Sequence, residues 1–517
     1  MPIGINGLVA PGGLSGLYLP FNADIIAKLG GEEGLKAVLA GGTNGLNASG
    51  FVPENLEQQA HVTLWDRDDL HFIRELPEVD ATSVFHEFEV VDDYGSVMGS
   101  PLFQAESGLG AQTAYSGKRH VTRIVTLSHV NKVSGLARAQ KNIEVLGSTD
   151  PLVSNRNAQM LVHLFKKAVQ TIFCEADASM STLRFSGLLE QFWKKNASAA
   201  FADKPKGVDP QLMVDLRGKP LTRKHIELAS TSMFSDGWGS LNRIYMDPDV
   251  SQGFQGEIET NFPVERLTMG QAPNELIIGA PVAGVKAQGG IVFFKVDNSF
   301  HPQFYYTDPA DEAARKGKPY TYESGSPAKP VAAPTVAVAA NIAGSLWQAA
   351  DIPAAPAIKY KVQPCNNFGI GPISDASAAA AIAANGRNTV SWASAADALS
   401  YKVFRNSVDD PNRYFVIGEV KNNGANLSFV DLNHWMPGTS VAVGFEMRVP
   451  KTATNRLNAR AKDNAVRAAK LEGLHTEPMG KLGDFVWELL LERMAPELVQ
   501  ALRMRVFFNV ANRFVSR

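Results

Sequence analysis

The chain has only two cysteines, Cys174 and Cys365, in 517 residues. Two thiols in separate regions make neither a disulfide framework nor a zinc site. A reducing compartment suits such a chain. No run approaches the ~20 apolar residues that cross a bilayer. The start, Met1-Pro-Ile-Gly-Ile-Asn6, lacks the basic residues and long apolar stretch of a secretion signal, so none is expected. Net charge is -2, and nothing global points to nucleic acid.

Catalytic motifs are missing too. Gly117, Gly218, Gly317 and Gly480 each precede a lysine but lack the glycine five residues earlier that a phosphate loop needs. Gly13-Leu-Ser15-Gly16 lacks the closing glycine of a nucleophile elbow. His86-Glu87 has no second histidine at zincin spacing. The ten histidines are scattered; His163, on a predicted helix, reads as packed or solvated. The acid pairs Asp68/Asp69 and Asp409/Asp410 read as solvated loops, and Asp92-Asp93 offers too few ligands for calcium. No catalytic, cofactor-binding or metal residue is expected, and the chain is not read as an enzyme.

What the chain does have is 45 % apolar and 20 % charged residues, ordinary for a protein that buries a core. Its length suits about three domains. Charge is uneven along it. Acids dominate Phe51–Ser100, and Lys118–Lys141 carries only bases. Two solvated faces would explain this. So would complementary surfaces on neighbouring copies, with Lys118, Arg119 and Arg123 as subunit contacts.

Residues 1–60 are rich in Gly and Asn and read as an extended arm, with one short helix over Ala23–Ala40. Val84–Val130 reads as two strands around a Gly/Ser loop, Gly95–Gly117, the second strand being Val121–His129. Asp150-Pro151 starts a long helix that runs to about Ala176. Thr222 caps another through Met233. Arg243–Met246 is a strand, and Asp247-Pro248 opens a further helix. Strands follow at Asn274–Ile278 and Gly290–Val296. From Ser324 to Leu432 a Pro/Ala-rich seam leads into short strands broken by turns, an all-β module inside a mixed chain. Val441–Met447 is a strand and the alanine-rich Thr454–Leu471 a helix. Phe485–Val510 fits one amphipathic helix or two strands around Ala495-Pro496.

Two segments carry a resemblance. Asp215-Leu-Arg-Gly-Lys-Pro-Leu-Thr222, a helix, then Leu241-Asn-Arg-Ile-Tyr-Met-Asp-Pro-Asp-Val-Ser-Gln-Gly-Phe254 resembles the middle of HK97-type major capsid proteins of tailed bacteriophages. Ile358-Lys-Tyr-Lys-Val-Gln-Pro-Cys-Asn-Asn-Phe-Gly-Ile-Gly371 resembles the late strands of a fibronectin type III or immunoglobulin-like domain. Thr389-Val-Ser-Trp392 and Tyr401-Lys-Val-Phe-Arg405 resemble its early strands, with Trp392 as core tryptophan. The late signature comes first, which implies a permuted or merely immunoglobulin-like sandwich. His434-Trp-Met-Pro-Gly-Thr-Ser440 resembles the segment that closes such an insert.

The resemblance implies an α+β fold of HK97 type carrying an inserted all-β sandwich. Residues 1–83 would be the N-terminal arm and 84–130 the extended loop. Residues 131–214 would be the peripheral domain with its spine helix, and 215–323 the axial domain. The insertion would span 324–437, placed where it can hang outside the shell or clamp a neighbour; 438–517 would return to the axial and peripheral domains. The implied partners are other copies, as hexamers and pentamers of an icosahedral head, with decoration or minor capsid proteins. Packaged DNA would be met non-specifically, and no membrane or cofactor is implied. The place would be the virion, assembled in the host bacterial cytoplasm. The competing reading is an adhesin or tail protein that binds a glycan or host surface through the β module. Such a protein would carry repeats of the module and a secretion signal, and neither is visible in this sequence.

Overall fold

The computed structural model describes residues 70–93, 116–139, 148–175, 184–261, 267–269, 276–278, 284–288, 290–301, 322, 325–352, 357–424, 427–447 and 464–515. The expected helix at Ala23–Ala40 and most of the Gly/Ser loop lie outside them. The chain divides into two compact units, Met1–Thr63 with Arg138–Ser154 and Leu64–Ala137 with Asn155–Arg517. In the first, Asp150 caps the opening turn of helix α2 (Pro151–Phe173), whose residues from Asn155 on belong to the second: the Leu152 N–H donates to Asp150 Oδ1 at 2.9 Å. Proline follows the cap, where its missing N–H costs nothing. Arg138 holds the same carboxylate at 2.9 Å.

The second unit is built on two sheets. The larger joins β5 (Met213–Asp215), β6 (Arg243–Met246), β9 (Gly284–Ala287), β10 (Gly290–Val296), β17 (Ser440–Phe445) and β20 (Met504–Val510). Its order is β5-β20-β17-β6-β10-β9. Successive side chains of a strand point to opposite faces, and the central strands are apolar on both. Ile244, Met246, Ala442 and Phe507 pack under helices α4 (Arg223–Asp236) and α5 (Pro248–Asn261). Tyr245, Val443, Phe445, Val506 and Phe508 enter the main core on the other face, with α1 (His71–Glu75), α2 and α3 (Leu188–Asn196). Thr222 precedes α4 as expected, its N–H donating to His225 Nδ1 at 3.2 Å.

The smaller sheet orders β1 (Glu78–Asp80), β18 (Val466–Leu482), β19 (Phe485–Leu498) and β4 (Val125–Ser134) as β1-β18-β19-β4. Gly483, at φ 65, turns β18 into β19, a conformation glycine adopts without strain. Two-stranded ribbons stand apart: β2 (Phe85–Asp93) with β3 (Ser116–Arg123), and β7 (Leu267–Met269) with β8 (Leu276–Ile278).

Three expectations change here. The strand expected over Val121–His129 is two strands. Ile124 is buried, and its N–H closes the ribbon base on Val84 O at 2.8 Å. Val125 then starts a new pairing with Met494 in the smaller sheet. The helix expected over Thr454–Leu471 is strand from Val466 onward; residues 454–463 lie outside the described set. Val466, Ala468 and Ala469 are buried against neighbours, and that packing overrides alanine's helical preference. Phe485–Val510 takes its two-strand reading, but the break falls at Val499–Arg503. Pro496 sits inside β19 opposite Ala468. Pairing of β19 with β4 ends at Met494, so the missing N–H of Pro496 faces no strand.

The β module is two antiparallel three-stranded sheets. One is β11 (Thr335–Ala339), β13 (Arg387–Trp392) and β16 (Leu427–Asp431); the other is β12 (Tyr360–Cys365), β14 (Ser400–Asn406) and β15 (Tyr414–Lys421). They share a core of Trp347, Tyr360, Val390, Trp392, Tyr401 and Val403. Trp392 meets Tyr401 edge-on at 5.6 Å. The module does not hang clear of the body. Phe404, Tyr414, Phe415 and Val416 belong to the main core beside Trp435 and Phe508, so β14 and β15 bury both faces. Arg184 reaches Glu419 across this junction at 2.8 Å.

Candidate subunit-contact surface

The charged residues singled out in the sequence lie on the β2–β3 ribbon. Its register pairs Phe85 with Arg123, Glu87 with Val121, Glu89 with Arg119 and Val90 with Lys118. Alternation then sorts the side chains. His86, Phe88, His120 and Thr122 form the inner face. His86 Nδ1 meets Glu497 Oε1 at 2.6 Å, and the cations of Arg467 and Lys195 lie 5.0 and 5.7 Å from the Phe88 ring centre. Cation–π contact anchors the ribbon to β18 of the smaller sheet through Arg467 and to helix α3 through Lys195.

The outer face carries Phe85, Glu87, Glu89, Val91, Arg119, Val121 and Arg123. Phe85, Val91 and Val121 are exposed. Arg119 pairs with Glu87, and the Arg123 guanidinium lies over the Phe85 ring at 5.7 Å. The structure therefore brings Arg119 and Arg123 together and puts Lys118 on the opposite face. It also joins part of the acidic and basic sequence blocks within one chain. Sequence reasoning picked the charges and missed the exposed apolar residues, although period-two alternation across Phe85–Val91 carried the signal.

Buried ionic groups elsewhere act as fasteners. Glu492 on β19 accepts from Lys167 at 2.6 Å and meets His163 Nε2 at 2.8 Å, both on α2. Burial alone would raise its pKa, but His163, Lys167 and Lys470 outweigh burial and hold it at about 2. Burial pushes the Cys174 thiol, half-buried just past the end of α2, up to about 12, which suppresses thiolate chemistry.

Two clusters among the described residues place three metal-capable groups together: Asp247, Asp249 and His301, and Glu472, His475 and Glu477. In the first, Arg513 already supplies a cation, with Nε 3.2 Å from Asp249 and a second nitrogen 3.0 Å from His301 Nε2. In the second, Arg493 pairs with Glu472. Asp410 accepts the Asn412 N–H at 3.1 Å, an ordinary turn. A cavity of about 30 Å³ lined by Phe173, Glu175, Trp193, Glu419 and Trp435 has room for about one water, not an organic substrate.

No protein-family model and no curated protein matches the chain. Solved structures do. One is the holo-SrpI encapsulin complex from Synechococcus elongatus PCC 7942: 8 % identity, 88 % of this chain and 92 % of that chain, TM-score 0.35. Another is the capsid of the native GTA particle: 9 % identity, 91 % and 100 % coverage, TM-score 0.39. A third is the capsid of Myoviridae phage XM1: 9 % identity, 89 % and 100 % coverage, TM-score 0.37. At such identity and superposition none carries a residue's role over to this chain.

Proposed function

We propose that the chain is a major capsid protein of HK97 type, whose copies form the hexamers and pentamers of an icosahedral phage head around DNA. The observation that carries this is the β2–β3 ribbon. Among the described residues it has two strands and no third, and it displays Phe85, Val91 and Val121 to solvent among charges. A two-stranded ribbon is marginal alone, and exposed apolar groups of this kind gain by burial on a neighbour. The order ribbon, long helix α2, helix α4, strand β6, helix α5 follows what the sequence resemblance implies for extended loop, spine helix and axial domain. The β module supports an immunoglobulin or fibronectin III class in permuted order, because β12 precedes β14 in the chain by two strands yet pairs with it. Residues 1–83 and 438–517 take the arm and returning roles. Decoration or minor capsid proteins and packaged DNA would meet the assembled shell in the host cytoplasm.

Negative-stain microscopy of the purified chain tests the reading. Shells or capsomers are expected, and a monomer at all concentrations would refute it. Replacing Lys118, Arg119 and Arg123 together by Glu should abolish assembly while circular dichroism stays unchanged; normal shells from that variant would remove these residues as contacts.

A further inference from the structure

Two unlike patches of exposed apolar side chains lie on the unit that holds the six-stranded sheet. At the start of β20, the turn Ala501–Arg503 lies against the end of α4. Phe234, Trp238 and Leu502 are exposed there. Helix α4 closes on a left-handed residue, a place that favours glycine. Trp238 occupies it, at φ 49, with 75 % of its surface in solvent.

Glycine stands on both sides of Trp238, yet neither can take its place. A Cβ on Gly237 would lie 2.5 Å from Leu502 O, and one on Gly239 2.7 Å from Glu446 Oε2. Two unfavourable choices therefore coincide in the single chain: a bulky left-handed residue and a bare indole. The exposed carboxylate of Asp236 sits at the rim.

On β10, one strand in from the β9 edge, Ile291 and Phe293 are exposed. Val292 between them points to the core under α4 and α5. Lys286 on β9 stands directly opposite Ile291 and is exposed. The Arg243 guanidinium lies 4.9 Å from the Phe293 ring centre. The rim of this patch carries Lys286, Arg243 and Lys295 against Glu75, which lies 3.7 Å from Arg243 and 3.6 Å from Lys295; at the first patch, Arg503 pairs with Glu446 at 2.9 Å and Asp236 is the exposed charge.

We infer that the two patches meet between copies: Trp238 of one chain packs on Ile291 and Phe293 of the next, with Asp236 facing Lys286. The inference rests on the capsid reading and names a contact within it. The opposite rim charges favour this pairing over patch-to-like-patch contact. Two unlike patches at separate places on one chain give a head-to-tail contact, and each added copy offers the same unused pair until a ring closes. Lys286 and Arg243 also bring cations to the indole face.

Cysteine pairing tests the contact. The full-length Asp236→Cys/Lys286→Cys double variant, assembled and oxidised, should run as a reducible ladder of multimers. Each single variant should give none, and a mixture of the two singles should give dimers only. Reversing one charge, Asp236→Lys or Lys286→Asp, should slow assembly about tenfold, and combining the two should restore it. Particles of the double-cysteine variant that yield no ladder would overturn this contact and leave the capsid reading standing. A wild-type chain that never leaves the monomer would overturn both.

Discussion

The carboxylate of Glu492 accepts the Lys167 ammonium at 2.6 Å beneath the long helix α2. His163, one turn earlier on the helix, bonds the second oxygen at 2.8 Å. Both partners and Glu492 itself are buried, so one carboxylate ties the helix to the smaller sheet. Removing one member of such a group leaves a buried charge unmatched. Glu492→Gln should cost about 3–5 kcal/mol, read by urea unfolding at pH 7.

The same site sets an acid limit. Glu492 titrates at about 2 in the folded chain against an ordinary value of 4.5. Its stabilisation is complete above about pH 4.5 and is lost as pH falls toward 2. His129 adds an earlier loss. Burial, with Lys166 and His163 nearby, lowers it from 6.5 to about 4. The unfolded chain therefore takes the proton first, and stability falls as pH drops from 6.5 to 4. Thermal unfolding between pH 7 and 3 should show a loss that His129→Gln lessens in the upper range alone; His301, which burial also lowers to about 4, keeps part of it.

In the β module, Asp431 accepts from Arg405 at 2.5 Å and from the Tyr360 hydroxyl at 2.7 Å. The Arg405 guanidinium lies 4.5 Å from the Trp347 ring centre. Asp431→Ala would strand a buried guanidinium and cost about 3–5 kcal/mol by thermal unfolding. Arg405→Met combined with Asp431→Leu should recover most of that loss, because the pair's net worth is small next to the cost of breaking it.

These fasteners show how far the sequence could be read. Asp150-Pro151 and Asp247-Pro248 announced their helices because a cap and its proline are local signals. Arg243–Met246 and Gly290–Val296 announced their strands through β-branched and aromatic residues. Ile124 and Pro496 misled because each owes its role to a distant partner: Val84 O for one, the end of the β4 pairing for the other. The inward alternation of Tyr401 and Val403 was legible, but nothing local says that Phe404, on the other face of β14, enters the main core. Lys118, Arg119 and Arg123 were legible as charge; their division between two faces follows only from the ribbon register.

That second buried face changes what removal of the module should do. A module hanging in solvent could be replaced by a short linker without loss. Here, replacing Thr335–Asp431 with a flexible Gly/Ser linker strips Phe404, Phe415 and Val416 from the main core. The truncated chain should be insoluble or should bind a hydrophobic dye at 25 °C. A soluble truncated chain with an unchanged melting temperature would count against this packing.

Gly187 gives a sharper test of close approach, because its backbone is ordinary. Its φ of -68 suits any residue, so conformational strain plays no part. A Cβ there, however, would lie 2.7 Å from both Cys174 N and Cys174 O and 2.9 Å from Ile172 O. All three are backbone atoms and cannot swing aside. The Gly187 N–H also donates to Cys174 O at 2.8 Å, which holds the start of α3 against the end of α2. Gly187→Ala should therefore cost about 1–3 kcal/mol by overpacking. Gly253 is exposed on α5, and a Cβ there would meet nothing within 4 Å, so it should respond with the opposite sign. Alanine there gains helix propensity and should stabilise by up to about 1 kcal/mol. Chemical unfolding of the two variants side by side separates a glycine kept for space from one that is not.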